Sequence, residues 1–170
     1  RSGSGTRTDG DERGNALTSR GAKEIILNEI FRAKLDNLPG RVTRYSDIGF
    51  ILLGSAIEVI TATGLDRLAT REIFRPLQLR NTGYIDLTTV RRKGLEPVVD
   101  MIAPTARCPW RGRVLCGEVH DDNAWAMGGI APHAGVFSNI EDVHRFAHEL
   151  LLCYRGEGSL VNRDVLREFW

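Results

Sequence analysis

The chain has 170 residues, of which 42% are hydrophobic and 26% are charged, and its net charge is +1. That length and balance suit one globular domain of ordinary size, and a charge near zero implies neither nucleic acid nor an anionic membrane as a partner. No apolar run reaches the roughly 18 residues that would span a membrane.

The N-terminal third begins with a segment that cannot build a core. Residues 1–16 contain glycine, serine, threonine and charge but no large apolar side chain, which predicts loop or disorder. An amphipathic pattern then predicts a helix over roughly 19–35. The dipeptide Pro39-Gly40 predicts a turn, followed by a short extended approach to Tyr45.

The next stretch is the most apolar part of the chain. Between residues 48 and 62 the only charge is Glu58, which predicts a helix central to its domain. Gly49 and Gly54 each cost such a helix about 1 kcal/mol against alanine, so we expect them to permit close approach of a neighbouring element. A second, amphipathic helix is predicted to end near Pro76, and a turn then leads to an extended piece.

Residues 95–126 differ in character, because proline, tryptophan and cysteine interrupt short apolar pairs. This pattern predicts a long structured excursion, with a short hairpin around Arg113–Val119. Loops of this length tend to be functional or to cover something. For Trp110 and Trp125 we favour packing over a role as a shelf for substrate.

The last part of the chain returns to helices. A glycine-rich segment ends at Ser138 or Asn139, either of which can cap a helix that has acidic residues in its first turn. That helix is amphipathic over 140–154, with a predicted apolar stripe of Val143, Phe146, Ala147, Leu150 and Leu151. A further helix begins after Asn162, so the chain as a whole is predicted to be mostly helical.

Two other sets of side chains could form a disulfide or a metal site. The cysteines form no CxxC pair, and a disulfide between Cys108 and Cys116 is left open. His144 and His148 have the spacing of a metal-binding helix, but the residue after the first is Arg145 and not the glutamate of a metalloprotease. We therefore favour a solvated helix face, and we expect no metal or cofactor.

Two long segments together resemble a known family. They are "PGRVTRYSDIGFILLGSAIEVITATGLDRLATREIFRPLQLRNTGY" and "AMGGIAPHAGVFSNIEDVHRFAHELL". The first resembles the Tyr-x-Asn region and long buried helix of the serine β-lactamase and penicillin-binding-protein-like family, which includes class C β-lactamases, D-Ala-D-Ala carboxypeptidases and related esterases. The second resembles that family's glycine-rich segment and acidic-capped helix.

The resemblance implies a fold and a chemistry. It implies that residues 17–170 form the mostly α, helical part of an α/β (α+β) β-lactamase/transpeptidase-like fold. Such enzymes transfer an acyl group to a serine that has a lysine three residues on, and a tyrosine shares in moving the proton. By this resemblance Tyr45 and Asp47 are the catalytic residues, with the pKa of the phenol lowered by neighbouring cations. The family more often has asparagine where Asp47 stands, which favours an ester or peptide substrate over a lactam.

Two motifs of that mechanism are absent from the sequence. No serine stands three positions before any of the three lysines, and no lysine or histidine precedes Thr-Gly or Ser-Gly. The nearest approach is His133-Ala134-Gly135, which precedes the acidic-capped helix and which we do not favour as the motif. We expect the nucleophile before Arg1, the substrate-edge strand after Trp170, and a chain that is inactive alone.

Other hypotheses remain open at this point. A non-catalytic helical binding or scaffold module derived from the family is the main alternative, and a metal-dependent hydrolase is a weaker one. For the full-length protein we expect a small ester, amide or peptide substrate, in a periplasmic, secreted or cytoplasmic setting. We also expect self-association through exposed apolar surface of the helix over 48–62.

Overall fold

The computed structural model describes residues 20–93 and 100–170, so the predicted loop over 1–16 lies outside the described residues. Helices dominate the described chain, as the sequence predicted. They are α1 Arg20–Arg32, α2 Asp47–Thr61, α3 Leu65–Ala69, α4 Leu87–Arg92, α5 Asp122–Ala126, α6 Ile140–Arg155 and α7 Arg163–Glu168. A π-helical turn, Thr70–Phe74, continues α3.

The described strands are short and pair as two antiparallel ribbons. Strand β1, Gly83–Tyr84, pairs with β4, Val136–Phe137, and strand β2, Arg107–Cys108, pairs with β3, Arg113–Val114. In the first ribbon Gly83 lies opposite Phe137, and in the second Arg107 lies opposite Val114.

The chain divides into two compact units. The first comprises Arg1–Ser55 and Ile85–Gly135, and the second comprises Ala56–Tyr84 and Val136–Trp170. The first unit has a buried core to which α1, α2 and the segment before Gly135 all contribute. Its buried members are Ile51, Leu87, Val119, Ala124, Trp125, Met127 and Ala131.

Helix α2 combines a buried face with exposed apolar side chains. Within the described residues its buried positions are Ile51 and Gly54, whereas Val59 is 79% and Ile60 is 83% exposed. One face of α2 therefore contributes to the core, and other apolar side chains of the helix are exposed, as the sequence led us to expect. No single described helix is long and apolar enough to cross a membrane; α2 passes that test only together with Leu65–Phe74, across a bend of 79°.

Gly54 and Gly49 occupy different environments on α2. A Cβ on Gly54 would lie 2.5 Å from Cγ of Pro132, so the ring of Pro132 fills the space that a side chain would need. A Cβ on Gly49 would meet nothing within 4 Å. The prediction that glycine permits close approach of a neighbour is confirmed at Gly54 and is wrong at Gly49.

The excursion after α4 contains a hairpin, but not where the sequence placed it. Strands β2 and β3 turn at residues 109–112, and the ladder extends through hydrogen bonds between Thr105 and Leu115 and between Leu115 and Ala106. The observed hairpin therefore lies closer to the N-terminus than the predicted position, Arg113–Val119. A glycine with φ of 67°, Gly112, supplies the left-handed residue that the turn requires.

In the second unit the caps were predicted well and the buried stripe of α6 was not. The side chain of Asn139 accepts a hydrogen bond from the backbone of Asp142 at 2.9 Å, which caps α6 as expected. However, Val143 is 51% exposed, while Cys153 is buried against Gly158. Asp142 is buried too, because its carboxylate accepts hydrogen bonds from residues 81 and 82.

The two glycines of α2 give a matched pair of substitutions. We expect Gly49→Ala to raise the free energy of unfolding by up to about 1 kcal/mol, because it improves helix propensity in open space. We expect Gly54→Ala to lower it by about 1–3 kcal/mol, because the new methyl group overlaps the ring of Pro132. Urea unfolding of both variants measures the difference, and equal stability of the two would contradict the described packing.

Candidate active site

Tyr45 lies two residues before the start of α2 and is hydrogen-bonded to Asp47, the first residue of that helix. Its hydroxyl donates to Oδ1 of Asp47 at 2.8 Å, and its ring packs against Phe50 with centroids 6.0 Å apart. The side chain is 76% exposed, so the phenol is accessible. The carbonyl oxygen of Ser46 accepts a hydrogen bond from Gly49, which is the ordinary start of a helix. The stretch is thus both a helix start and an accessible polar edge.

A surface groove of about 480 Å³ opens beside this phenol. Its apolar wall is formed by Phe50 and Leu53, and its polar groups include Tyr45 and Ser46. The other lining residues are Thr43, Arg44 and Gly49. A groove with an apolar wall and a few polar groups can hold the apolar part of a small molecule next to the phenol.

The environment of Tyr45 raises its pKa above the usual value of a tyrosine. The first cause is the hydrogen bond that the phenol donates to Asp47, and the second is the negative charge of that carboxylate. The carboxylate of Asp121 adds a smaller effect in the same direction. The direction is opposite to that expected from the resemblance, because the charged groups that act on Tyr45 in the described chain are carboxylates and not cations.

The excursion that carries Asp121 is organised around a buried cation. The side chain of Arg111 is 3% exposed, and its guanidinium carbon lies 4.8 Å from the ring centroid of Trp110 and 4.9 Å from that of Trp125. Its terminal nitrogens donate to the carbonyl oxygens of Val119 and His120, at 2.9 and 3.0 Å. Both tryptophans therefore serve packing, which is the role that we favoured.

Acidic side chains balance the charge of Arg111. Asp122 accepts a hydrogen bond from its Nη2 at 2.8 Å. Glu118, also 3% exposed, lies 3.8 Å from Arg111, accepts a hydrogen bond from Trp125 at 2.9 Å, and pairs with Arg113 at 2.6 Å. A buried cation with such partners fixes the surrounding loop, because separating any member would leave a charge buried and unpaired.

Asp121 is held from two further sides. Its Oδ1 accepts a hydrogen bond from the backbone of Ala124 at 2.8 Å, which caps α5, and lies 3.0 Å from Nε2 of His133. Partial burial would raise the pKa of Asp121, but the hydrogen bonds from Ala124 and His133 outweigh it and lower that pKa. The His133 side chain is 1% exposed, and its Nδ1 is buried with no hydrogen-bond partner among the described residues.

The other candidate residues are two histidines and two cysteines. The rings of His144 and His148 stack on α6 with centroids 6.1 Å apart. Among residues 20–93 and 100–170 no group of three or more histidine, cysteine, aspartate or glutamate side chains is placed to hold a metal. Cys108 and Cys116 are both free thiols, so the disulfide left open between them is not formed.

Sequence reasoning did not identify Arg111 or the pairing of Asp121 with His133. A signal existed for Asp121, because an aspartate three positions before the backbone amide that it caps is a common helix start. For Arg111 the neighbouring Trp110 was visible in the sequence. The other partners of Arg111 lie within residues 118–125, however, and no local sequence pattern predicts them.

Comparison with known proteins gives one family. The model of the Beta-lactamase family matches residues 3–170. Over 134 residues, or 72% of this chain, the sequence is 37% identical to a protein of Salmonella agona (strain SL483) named "Putative D-alanyl-D-alanine carboxypeptidase". That match covers 30% of the carboxypeptidase, so the chain spans about a third of the length of the curated relatives it matches.

Solved structures share the fold at low sequence identity. A D-stereospecific amidohydrolase from Streptomyces sp. superposes with a TM-score of 0.61 at 20% identity, over 94% of this chain and 42% of that one. A penicillin binding protein from Bacillus halodurans superposes with a TM-score of 0.59 at 16% identity, over 89% of this chain and 41% of that one. These likenesses show a shared fold. The reaction has to be inferred from the side chains of this chain.

The bond between Tyr45 and Asp47 predicts how the phenol titrates. The carboxylate of Asp47 accepts a hydrogen bond from the phenol and repels the phenolate. We therefore expect Asp47→Asn to lower the pKa of Tyr45. NMR of the ¹³C-labelled tyrosine rings during a pH titration measures the change. Tyr84 is the internal control, because its pKa is raised mainly by burial and then by Asp66, and it should not move. A Tyr45 pKa that stays the same in the variant would contradict the bond.

Proposed function

This chain belongs to the beta-lactamase family, and from that membership we propose that it is part of a serine hydrolase that acts on an ester or amide by acyl transfer. The observation that carries the proposal is the accessible phenol of Tyr45, bonded to Asp47 and facing a groove. The resemblance assigns the proton-transferring tyrosine to that position. The relative named as a putative carboxypeptidase supports acyl-transfer chemistry.

In this proposal Tyr45 exchanges a proton with the serine nucleophile or the leaving group, and Asp47 holds the phenol in place. Proton transfer of this kind requires the phenol oxygen to reach the reacting group, and an exposed side chain at the rim of a groove satisfies that need. Ser46 is not proposed as the nucleophile, because no lysine or histidine stands three or four residues from it to take its proton.

The substrate that we propose is a small ester, amide or peptide. Asp47 is an anion that accepts hydrogen bonds and donates none, so it cannot offer an amide N–H to a substrate carbonyl as an asparagine would. This difference moves the proposal from lactam hydrolysis toward an esterase or a peptidase. The apolar wall of Phe50 and Leu53 suits an apolar substituent of such a substrate.

The sequence lacks Ser-x-x-Lys and a Lys/His-Thr-Gly strand, so we propose that these 170 residues alone do not form an acyl-enzyme. The alternative is a non-catalytic helical binding or scaffold module derived from the family. The two proposals differ in a longer protein that contains this segment together with a Ser-x-x-Lys motif. Only the enzyme would then react with an acylating probe.

Covalent labelling tests the enzyme proposal. We expect no labelling of the 170-residue chain by fluorescent penicillin or a fluorophosphonate, and labelling of the longer protein at its Ser-x-x-Lys serine. Labelling of the isolated chain would show that its own residues contain the nucleophile, and would overturn the division of the site that we propose.

The same longer protein tests Tyr45. We expect Tyr45→Phe to slow acylation by roughly 10²-fold to 10⁴-fold, the usual contribution of a positioned acid or base. Tyr154→Phe is the matched control, because Tyr154 belongs to the second unit, where its ring packs against Trp170, and we expect the variant to leave the rate unchanged. Equal rates for Tyr45→Phe and the unchanged protein would remove Tyr45 from the mechanism.

The apolar surface of α2 leads to a proposal about this chain alone. Leu53 is 60%, Val59 79% and Ile60 83% exposed, and large apolar side chains in such numbers favour association in water. We expect the chain to self-associate in sedimentation-velocity ultracentrifugation, and Val59→Lys with Ile60→Lys to shift it toward monomer. A dilute monomer for the unchanged chain would contradict this proposal.

A further inference from the structure

Three arginines form a row along the helical segment that follows α2. Arg67, Arg71 and Arg75 are spaced four residues apart. Side chains at that spacing lie above one another on one face of a helix, about 6 Å apart along its axis. The row therefore presents positive charge at a regular interval on one side of α3 and its continuation.

The π-helical turn helps to keep that row straight. The backbone N–H of Arg75 donates to the carbonyl oxygen of Thr70 at 2.9 Å, which is a bond between residues five apart. In an α-helix, two residues four positions apart are rotated slightly past one full turn around the axis. A π-helical turn rotates less per residue, so it offsets part of that rotation. Turns of this kind are rare and occur frequently at functional sites.

The three arginines line one groove of about 410 Å³. Ala62 lies in the same groove with a φ of 49°, a left-handed conformation that is uncommon for a residue other than glycine. The remaining lining residues are Thr63, Asp66 and Thr70. The groove thus combines guanidinium groups with hydroxyl groups around one concave surface.

The positive charges of the groove are only partly balanced. Arg71 pairs with Glu72 at 2.5 Å, and both side chains are more than half exposed. Asp66 is the carboxylate that lines the groove itself. Among the described residues neither Arg67 nor Arg75 forms an ion pair. Like charges four residues apart destabilise a helix, so the row is disfavoured until an anion joins its members.

We propose that this groove binds a ligand with two or more phosphate groups in a row, either a free oligophosphate or neighbouring phospholipid headgroups. Guanidinium groups bind phosphate through paired hydrogen bonds, and a row of them suits a ligand whose negative charge repeats. No aromatic side chain is among the described residues that line the groove. The phosphates are what the groove would recognise, and the proposal does not depend on the hydrolase activity.

Titration of the 170-residue chain with inorganic tripolyphosphate tests the proposal. We expect saturable binding by calorimetry, with NMR shifts confined to residues 62–75, and weaker binding as NaCl screens the charges. Arg67→Gln with Arg75→Gln should weaken binding by roughly tenfold or more, because two charge-assisted contacts are lost. Arg145→Gln, an exposed arginine on α6, is the matched control and should bind like the unchanged chain.

Two outcomes overturn the proposal: no saturable binding, or binding that the double variant leaves unchanged while circular dichroism shows it folded. If the double variant fails to fold, Arg71→Gln alone tests the same groove, with a smaller weakening expected because one contact is lost. Flotation with phosphatidylglycerol vesicles distinguishes the two sources of phosphate. Capture on vesicles that tripolyphosphate displaces indicates lipid headgroups, and tripolyphosphate binding without capture indicates a free oligophosphate.

Discussion

Burial of the Arg111 cation is the constraint on which the candidate site depends. The irregular backbone of the excursion has carbonyl groups that need hydrogen-bond donors, and Arg111 supplies them at Val119 and His120. The faces of two tryptophans and two carboxylates offset the cost of removing the cation from water. Asp121 directly follows His120, so the hydrogen bond from Arg111 to the carbonyl oxygen of His120 also sets the position of Asp121. A carboxylate that influences Tyr45 is held in place by a cation that does not itself line the groove.

The second constraint is the close approach of α2 to the segment before Gly135. The absence of a side chain at Gly54 lets the ring of Pro132 lie against the helix, and Ile51 enters the shared core one turn earlier. These contacts fix the N-terminal half of α2, and with it the place where Asp47 begins the helix. A carboxylate at that end is favoured by the helix dipole, and there Asp47 accepts the hydrogen bond from the phenol of Tyr45.

Elements with a local signal could be predicted from the sequence, and those that depend on distant partners could not. The helices around Ile51 and after Asn139 follow from periodicity and capping, both of which lie within a few residues. The hairpin was misplaced because its register depends on pairing between strands and not on composition. Arg111 and His133 escaped because their partners lie up to about a dozen residues away. The candidate role of Tyr45 came from resemblance, since a Tyr-Ser-Asp triplet is not distinctive.

The hydrogen bond between Tyr45 and Asp47 bears on how the proposed enzyme would move a proton. A phenol that donates to a carboxylate keeps its proton, so in the described state Tyr45 is an acid and not a base. In the proposed enzyme the lysine of Ser-x-x-Lys brings a cation to this pair. The Asp47 carboxylate would form an ion pair with that ammonium group. Its hydrogen bond from the phenol would then weaken, and ionising the phenol to phenolate would cost less free energy. A neutral asparagine would stabilise the same cation far less. In this proposal, aspartate at this position would link the pKa of Tyr45 to the presence of the lysine, so that the phenol could release its proton only in the assembled site.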